Sequence, residues 1–257
     1  PPLPRKTKGG ELLPLDNPNF AAFIFKIQTN MNPKHRDKMV FARVCAGQFK
    51  RGMKVFHSRT QREIRLSSAH SLFGNERDTV DESYAGDIIG FVSNADFKIG
   101  DTISSNPQIQ FESIPKFAPE LFGYLTSPTT SSFKAFRKGL DHLIGEDIVQ
   151  TFQIDFQERN VPLLGALGIL QFEVLQYRLK EEYGVETKLE MLPFKVLRWV
   201  HQASKEELRD KIPPYGCALG EDDEKSPVLF FDHPWSLQTF QEKNPTLILK
   251  DSQNPLF

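Results

Sequence analysis

The stretch MVFARVCAGQFKRGMKVF, residues 39–56, decides the fold of the N-terminal half of the chain. It has the period-2 pattern of a strand with one buried face. The apolar side chains of that face are Val40, Ala42 and Val44. Gly47 and Gly52 then bracket four residues and supply the turn into another apolar run at residues 53–56. The stretch therefore predicts a β-hairpin.

The residues on both sides of this stretch extend the β pattern. Upstream, Phe23, Phe25 and Ile27 predict a strand with one buried face. Downstream, glycines punctuate short apolar runs at the spacing of a small barrel, and no helical period competes between residues 20 and 105. We therefore expect an antiparallel β-barrel over residues 19–106. Five prolines and a Gly-Gly pair predict that residues 1–18 are a linker.

The second half changes to an alternation of helices and strands. Apolar side chains recur at helical spacing over residues 133–144 and 169–183, each followed by glycine. Residues 152–156 and 185–191 have the period-2 pattern of strands, residues 163–166 form an apolar run, and residues 116–125 would supply a preceding strand. This order predicts a split-βαβ arrangement, in which a four-stranded antiparallel sheet carries both helices on one face. We therefore expect an α+β domain over residues 107–257.

The tail of this second domain has weaker patterns. We expect a strand at residues 196–201, a short helix near 205–211, an acidic loop at 221–224, a strand at 228–231 and a helix opening at Pro234. The acidic loop lacks the alternating spacing of a calcium loop, so a solvated acidic turn is the expected reading.

Charge is distributed unevenly along the chain. Residues 26–65 hold eleven Lys or Arg side chains against two acidic ones. Residues 66–257 hold eighteen against twenty-nine, although the whole chain has a net charge of only −1. A local positive field beside β structure would attract a phosphate backbone or an acidic partner.

The candidate binding residues lie in this basic block. They are Lys34, His35, Arg36 and Lys38, on a predicted loop between two strands, and Arg59, Arg62 and Arg65 on a neighbouring segment. Lysine and arginine on a barrel loop bind RNA by releasing counterions from its phosphates. An ordinary solvated surface loop is the alternative interpretation.

Catalysis finds little support in the sequence. No Gly is followed by Lys, which excludes the phosphate-binding loop Gly-x-x-x-x-Gly-Lys-Ser/Thr from this chain. Cys45 and Cys217 are far apart and have no metal-ligand spacing with the histidines. We therefore expect no catalytic residue, metal or cofactor in this chain. Its two cysteines favour a reducing, cytoplasmic setting, and its longest apolar run is too short to cross a membrane. A hydrolase using Cys45 or a histidine remains an alternative.

Several motifs in the barrel resemble a known family. The segments VFARVCAG (40–47), RGM (51–53), GDIIG (86–90) and IGDT (99–102) look like the second domain of translational GTPases such as elongation factors Tu and G. Further motifs resemble the bacterial release factor 3 family: FKIQ (25–28), PKHRD (33–37), IPKFAPELF (114–122), GILQFEV (168–174) and RLK (178–180).

This resemblance implies a function in translation termination. In that family a GTPase domain, which binds GTP or GDP with magnesium, precedes the barrel and the α+β domain. The intact protein would then be a GTPase, and this chain, with its proline-rich start, would be a piece lying after that domain. Its implied partners are the ribosome, through ribosomal RNA and proteins, class 1 peptide chain release factors, and its own GTPase domain, with no membrane. A stand-alone RNA-binding module, or the barrel of a translational GTPase of the elongation factor G type, is the alternative.

Overall fold

A computed structural model describes residues 2–29, 38–66, 69–73, 76–155 and 159–253. The chain divides into two compact units, Pro1–Ile114 and Pro115–Phe257. The division falls close to the position where the sequence pattern changes from strands alone to alternating helices and strands.

The first unit is built from β-strands, and all of its strand pairs are antiparallel. They are β1 (Arg5–Lys6), β2 (Leu12–Leu13), β3 (Ala21–Gln28), β4 (Lys38–Ala46), β5 (Gln48–Lys50), β6 (Lys54–His57), β7 (Arg62–Arg65), β8 (Ala69–Phe73), β9 (Glu76–Val80), β10 (Glu82–Tyr84), β11 (Ile88–Ser93) and β12 (Thr102–Ser104). The main sheet has the order β7-β6-β12-β3-β4-β11-β8-β9, and β5 pairs separately with β10. This curled sheet confirms the predicted antiparallel β-barrel class.

The predicted hairpin within residues 39–56 is wrong in its pairing. Strand β4 does form, and its apolar face is fully buried in the core. However, β4 pairs with β3 and β11, whereas β6 pairs with β7 and β12. Gly47, at a φ of +67°, lies so close to Asn19 that a Cβ would be 2.5 Å from its carbonyl oxygen. The chain turns there out of the main sheet into β5, which explains the glycine.

Residues 1–18, for which we predicted a linker, carry backbone pairing in the structure. Strands β1 and β2 pair with each other, and Leu13 is buried in a small cluster with Phe23, Cys45 and Phe111. The Arg5 guanidinium lies over the Phe23 ring, 3.4 Å from its centroid. These contacts pack the segment against the rest of the first unit.

The second unit contains four α-helices and eight strands in the part that the structure describes. They are β13 (Leu121–Thr126), α1 (Phe133–Ile144), β14 (Gln150–Ile154), β15 (Leu163–Ala166), α2 (Ile169–Tyr183), β16 (Lys188–Met191), β17 (Val196–His201), α3 (Lys205–Arg209), β18 (Cys217–Asp222), β19 (Pro227–Phe231), α4 (Pro234–Lys243) and β20 (Ile248–Lys250). A turn of 3₁₀-helix, Thr130–Ser132, leads into α1.

The first part of this unit has the predicted split-βαβ arrangement. Its strands lie in the order β16-β13-β15-β14, and all pairs are antiparallel. Helices α1 and α2 contribute buried residues to the same core cluster. Gly139 allows their close approach, because a Cβ there would be 2.8 Å from both Leu179 Cδ2 and Tyr183 Cγ. The order of elements confirms the α+β fold class.

The tail extends this sheet. Strands β18, β19, β17 and β20 continue it beyond β14, which gives eight strands among the residues that the structure describes. The sequence predicted β17, α3, β19 and the start of α4, but it missed β18 and β20. Strand β18 was missed because its last residues belong to the acidic run that we expected to be a loop.

Candidate nucleic-acid interface

The predicted binding loop connects strands β3 and β4. Lys34, His35 and Arg36 lie outside the described residues. Lys38 is the first residue of β4, where it is half-buried and lies opposite Ser93 of β11. The structure therefore fixes the two strands that carry the loop and the position of one of its four predicted binding residues.

The outer side of these two strands is basic and aromatic. Lys26 pairs in register with Phe41, and its Nζ lies 5.3 Å from the centroid of the Phe41 ring. Arg43, two residues further along β4, points to the same side and is exposed. We call Lys26, Phe41 and Arg43 the hairpin face. Cations beside an aromatic ring suit both the phosphates and the bases of single-stranded nucleic acid.

The hairpin face was missed by the sequence analysis, although its cations were counted in the basic block. Its signal is present in β4, where Phe41 and Arg43 are out of phase with the buried residues. The signal is hidden in β3 by a register shift between Ile24 and Lys26, which leaves Phe25 exposed rather than buried. A strict period of two therefore assigned Phe25 to the wrong side.

Arg59 is held by acidic residues of the barrel. Its Nε donates to Asp101 Oδ1 at 3.0 Å, and its Nη1 donates to Asp96 Oδ2 at 3.2 Å. Burial opposes the charge of Arg59, but these hydrogen bonds and carboxylate charges outweigh it and raise its pKa. The guanidinium of Arg59 is thus already paired within the barrel, whereas a residue that binds phosphate needs unpaired donors.

Asp101 is the centre of this network. It is 7% exposed, and its carboxylate also meets His57 Nε2 at 2.6 Å and the Lys98 backbone N–H at 2.7 Å. Burial raises the pKa of this carboxyl, but the hydrogen bonds from His57, Arg59 and Lys98 more than compensate, so the pKa is lowered overall. The network ties the start of β12 to the end of β6.

Arg62 and Arg65 lie on the edge strand β7 and point to opposite sides. Arg62 lies opposite His57 in register, on the side of Ile64 that packs on the core, whereas Arg65 lies opposite Lys54 on the outer side. Both are exposed, and Arg65 Nε donates to the Gly52 carbonyl at 3.2 Å. The structure therefore does not bring the three predicted arginines onto one surface.

The structure gives no support to the alternative of a cysteine nucleophile. Cys45 is buried, and its Sγ lies 3.4 Å from the Arg43 carbonyl oxygen. Burial raises the pKa of this thiol, although Arg5 and Arg43 act in the opposite direction. A thiol with a raised pKa supplies little thiolate at neutral pH.

Three of the four acids in the run 221–224, Glu221, Asp222 and Asp223, are paired within the fold. Asp222 is buried and accepts hydrogen bonds from Trp199 Nε1 at 2.9 Å and from two backbone N–H groups of its own turn. Glu221 forms ion pairs with Lys205 and Lys225, and Asp223 forms one with Lys116. Over the described residues there is no group of three His, Cys, Asp or Glu side chains that could hold a metal ion.

No helix in the described part of the chain is long and apolar enough to span a membrane.

Two family models match successive parts of the chain. The family described as elongation factor G domain 2 matches residues 19–106, and the family described as class II release factor RF3, C-terminal domain, matches residues 111–241. These matches follow the order of the two units.

Individual relatives give the same result over almost the whole chain. A peptide chain release factor 3 from Trichodesmium erythraeum is 43% identical over 247 residues, covering 96% of this chain and 45% of the relative. One from Synechococcus elongatus is 42% identical over 249 residues, covering 97% of this chain and 44% of the relative. The chain thus spans a little under half the length of these curated relatives.

A solved structure shares the fold. A crystal structure of a protein from Thermus thermophilus aligns with a TM-score of 0.57 at 18% identity, covering 80% of this chain and 30% of that one.

Proposed function

Because this chain belongs to the class II release factor RF3 family, we propose that its two units dock onto the ribosome during translation termination. In the intact protein this docking would promote release of class 1 peptide chain release factors. The observation that carries the proposal is the family match itself, which extends through the second unit to residue 241 and follows a translation-factor barrel. The proposed place of action is the cytoplasm, where ribosomes work.

The energy source of the proposed cycle would be GTP. The relatives are more than twice as long as this chain, and a GTP-binding domain that holds GTP or GDP with magnesium is proposed for the part of the protein outside it. This chain contains no Gly-Lys pair and so does not supply that phosphate-binding loop itself. A nucleotide-dependent rearrangement would move the two units, and their different contacts with two ribosome states would shift the population between them.

The proposed ribosome contact of the first unit is the basic loop together with the hairpin face. Lys34, Arg36 and Lys38 supply the charge of the loop, and Lys26 and Arg43 extend it along the strands. Arg62 and Arg65 would add to binding only as separate single cations, since they point to opposite sides of β7. Cations on a rigid sheet are suited to phosphate contact because they need no reorganisation before binding.

The second unit distinguishes the release factor family from the alternative of an elongation factor G type barrel. A barrel of the elongation factor G type would account for residues 19–106 alone, whereas the release factor match covers residues 111–241. A stand-alone RNA-binding module would bind isolated RNA at least as tightly as it binds the ribosome.

The test is co-sedimentation of this chain with bacterial 70S ribosomes across a salt series. The variant Lys34→Gln/Arg36→Gln/Lys38→Gln is compared with Lys180→Gln/Lys188→Gln/Lys243→Gln, which changes the net charge equally at exposed lysines of the second unit. We expect salt-sensitive binding that the first variant weakens by at least about tenfold and the second preserves. Absence of binding by the parent chain, or equal loss in both variants, would overturn the proposal.

A further inference from the structure

Helix α1 carries a cluster of cations on the side away from its core. Phe136, Leu140 and Leu143 are buried against the sheet and α2. The opposite side presents Lys134, Arg137 and Lys138, all exposed, at positions i, i+3 and i+4. We call these three residues the α1 basic face. Together with Phe133, Asp141 and His142 they line one shallow depression on the surface.

The charge order of α1 opposes the stability of the helix. The first turn contains no acidic residue, and the cations occupy the N-terminal half, where the positive end of the helix dipole lies. The acid on this side, Asp141, comes near the C-terminal end, where a cation would be favoured. An arrangement chosen for helix stability would have the reverse order. The observed order instead concentrates positive potential at one end of the helix.

Several other cations of the second unit are paired with carboxylates. Arg178 lies 2.5 Å from carboxylates of Glu146 and Glu182, and Lys180 lies 2.7 Å from Glu186. Within the described part of the chain, by contrast, no residue of the α1 basic face has a carboxylate at ion-pair distance. Residues 115–257 hold sixteen Lys or Arg against twenty-one acidic side chains, so partners for these cations were not scarce.

On the basis of the proposed ribosome docking, we propose that the α1 basic face, with Phe133, is a second contact surface for the phosphate backbone of ribosomal RNA. Cβ atoms three or four residues apart on a helix are separated by about 5–6 Å, close enough for the cations to meet neighbouring phosphates. Phe133 is 40% exposed at the edge of the cluster and offers a ring on which an unpaired base can stack.

The composition of this surface favours RNA over an acidic protein. Protein interfaces have an apolar core that is depleted of charge. Here three cations outnumber the one acid, Asp141, and lie beside the exposed ring of Phe133. An excess of cations beside an exposed ring is typical of surfaces that bind RNA through charge and stacking.

The experiment measures two kinds of binding for each protein. Parent chain, Lys134→Gln/Arg137→Gln/Lys138→Gln and the matched control Lys180→Gln/Lys188→Gln/Lys243→Gln are titrated against 70S ribosomes and, separately, against purified 16S ribosomal RNA, at four salt concentrations. We expect the α1 variant to lose at least about tenfold in affinity for both targets and its log–log salt slope to fall by about two, since each single-strand phosphate contact contributes roughly 0.7. The control should retain the parent slope.

The outcomes separate this inference from the proposed docking. If the parent fails to bind ribosomes, the docking proposal fails, whereas the RNA titration still judges the α1 basic face. If the α1 variant keeps the parent slope on 16S RNA, the inference is overturned even though ribosome binding stands. A loss on ribosomes with unchanged RNA binding would assign the surface to an acidic ribosomal protein and would also overturn it. Circular dichroism of the variant checks that α1 still folds.

Discussion

Asp101→Ala removes the carboxylate on which the charged network of the barrel converges. The change leaves three donors without their acceptor: His57 Nε2, Arg59 Nε and the Lys98 backbone N–H. His57 is only 1% exposed, so water has little access to replace the lost contact there. The first unit should therefore be strongly destabilised by this single substitution.

The size of the expected destabilisation depends on how deeply the partners of Asp101 are buried. Breaking a buried charged pair by removing one partner costs about 3–5 kcal/mol. The Arg59 side chain is 34% exposed, so water can solvate its freed guanidinium and the lower end of this range applies. A loss of about 3 kcal/mol lowers the melting temperature of a unit of this size by roughly 10–20 °C.

The assay uses the uneven placement of tryptophan. Both tryptophans, Trp199 and Trp235, belong to the second unit, so their fluorescence reports that unit, whereas calorimetry reports both. The Asp101→Ala variant should lower one calorimetric transition and leave the fluorescence transition unchanged. The control is Asp81→Ala in the same unit, whose exposed pair with Arg51 at 3.4 Å should contribute less than about 1 kcal/mol.

The pH dependence gives a second measurement on the same residue. Because the folded-state pKa of Asp101 is lowered, its ionised form stabilises the barrel above the pKa of an aspartate in the unfolded chain, about 3.9. That contribution is lost as the pH falls through the lower folded-state pKa, so the parent and the variant should converge in stability in strong acid. Equal destabilisation by Asp101→Ala and Asp81→Ala would refute the reasoning.

Two glycine substitutions in the second unit test space and strain separately. Gly139→Val should lower the free energy of unfolding by about 1–3 kcal/mol, because a Cβ at this position already lies 2.8 Å from Leu179 and Tyr183 and the larger side chain forces α1 away from α2. Urea denaturation followed by tryptophan fluorescence measures this loss, and an unchanged midpoint would contradict it. Gly184→Ala should lower the free energy of unfolding by about 1–2 kcal/mol through backbone strain alone, since Gly184 has a φ of +67° and nothing lies within 4 Å of a Cβ there. A variant more stable than the parent would contradict the left-handed conformation at the end of α2.

Local periodicity predicted the elements well wherever one face of an element is buried. Helix α1 and strand β4 follow their patterns because each has one apolar side. Periodicity cannot specify partners, however, and this is why the hairpin between β4 and β6 was wrong. The choice of β3 and β11 as partners of β4 depends on contacts between residues far apart in the sequence, such as Gly47 against Asn19.

The binding candidates show a similar limit. Charge along the sequence selects Arg59, Arg62 and Arg65 as one group, because a count does not distinguish a paired cation from an open one. The structure shows that they differ. Arg59 is paired with Asp96 and Asp101, whereas Arg62 and Arg65 point to opposite sides of β7. The acids that hold Arg59 lie more than thirty residues away, so no local pattern could reveal them.

Two weak surfaces would suit the proposed cycle of ribosome binding and release. Each has only a few cations, so each alone would bind weakly and in a salt-dependent manner. Two linked surfaces that engage one target at the same time exceed either alone by roughly 10²–10⁴ in affinity. In the proposed cycle, a rearrangement that withdraws one surface would lose this whole gain in affinity while the other surface stays in contact. Weak, separate electrostatic surfaces on two units therefore make release easier to control than one strong surface would.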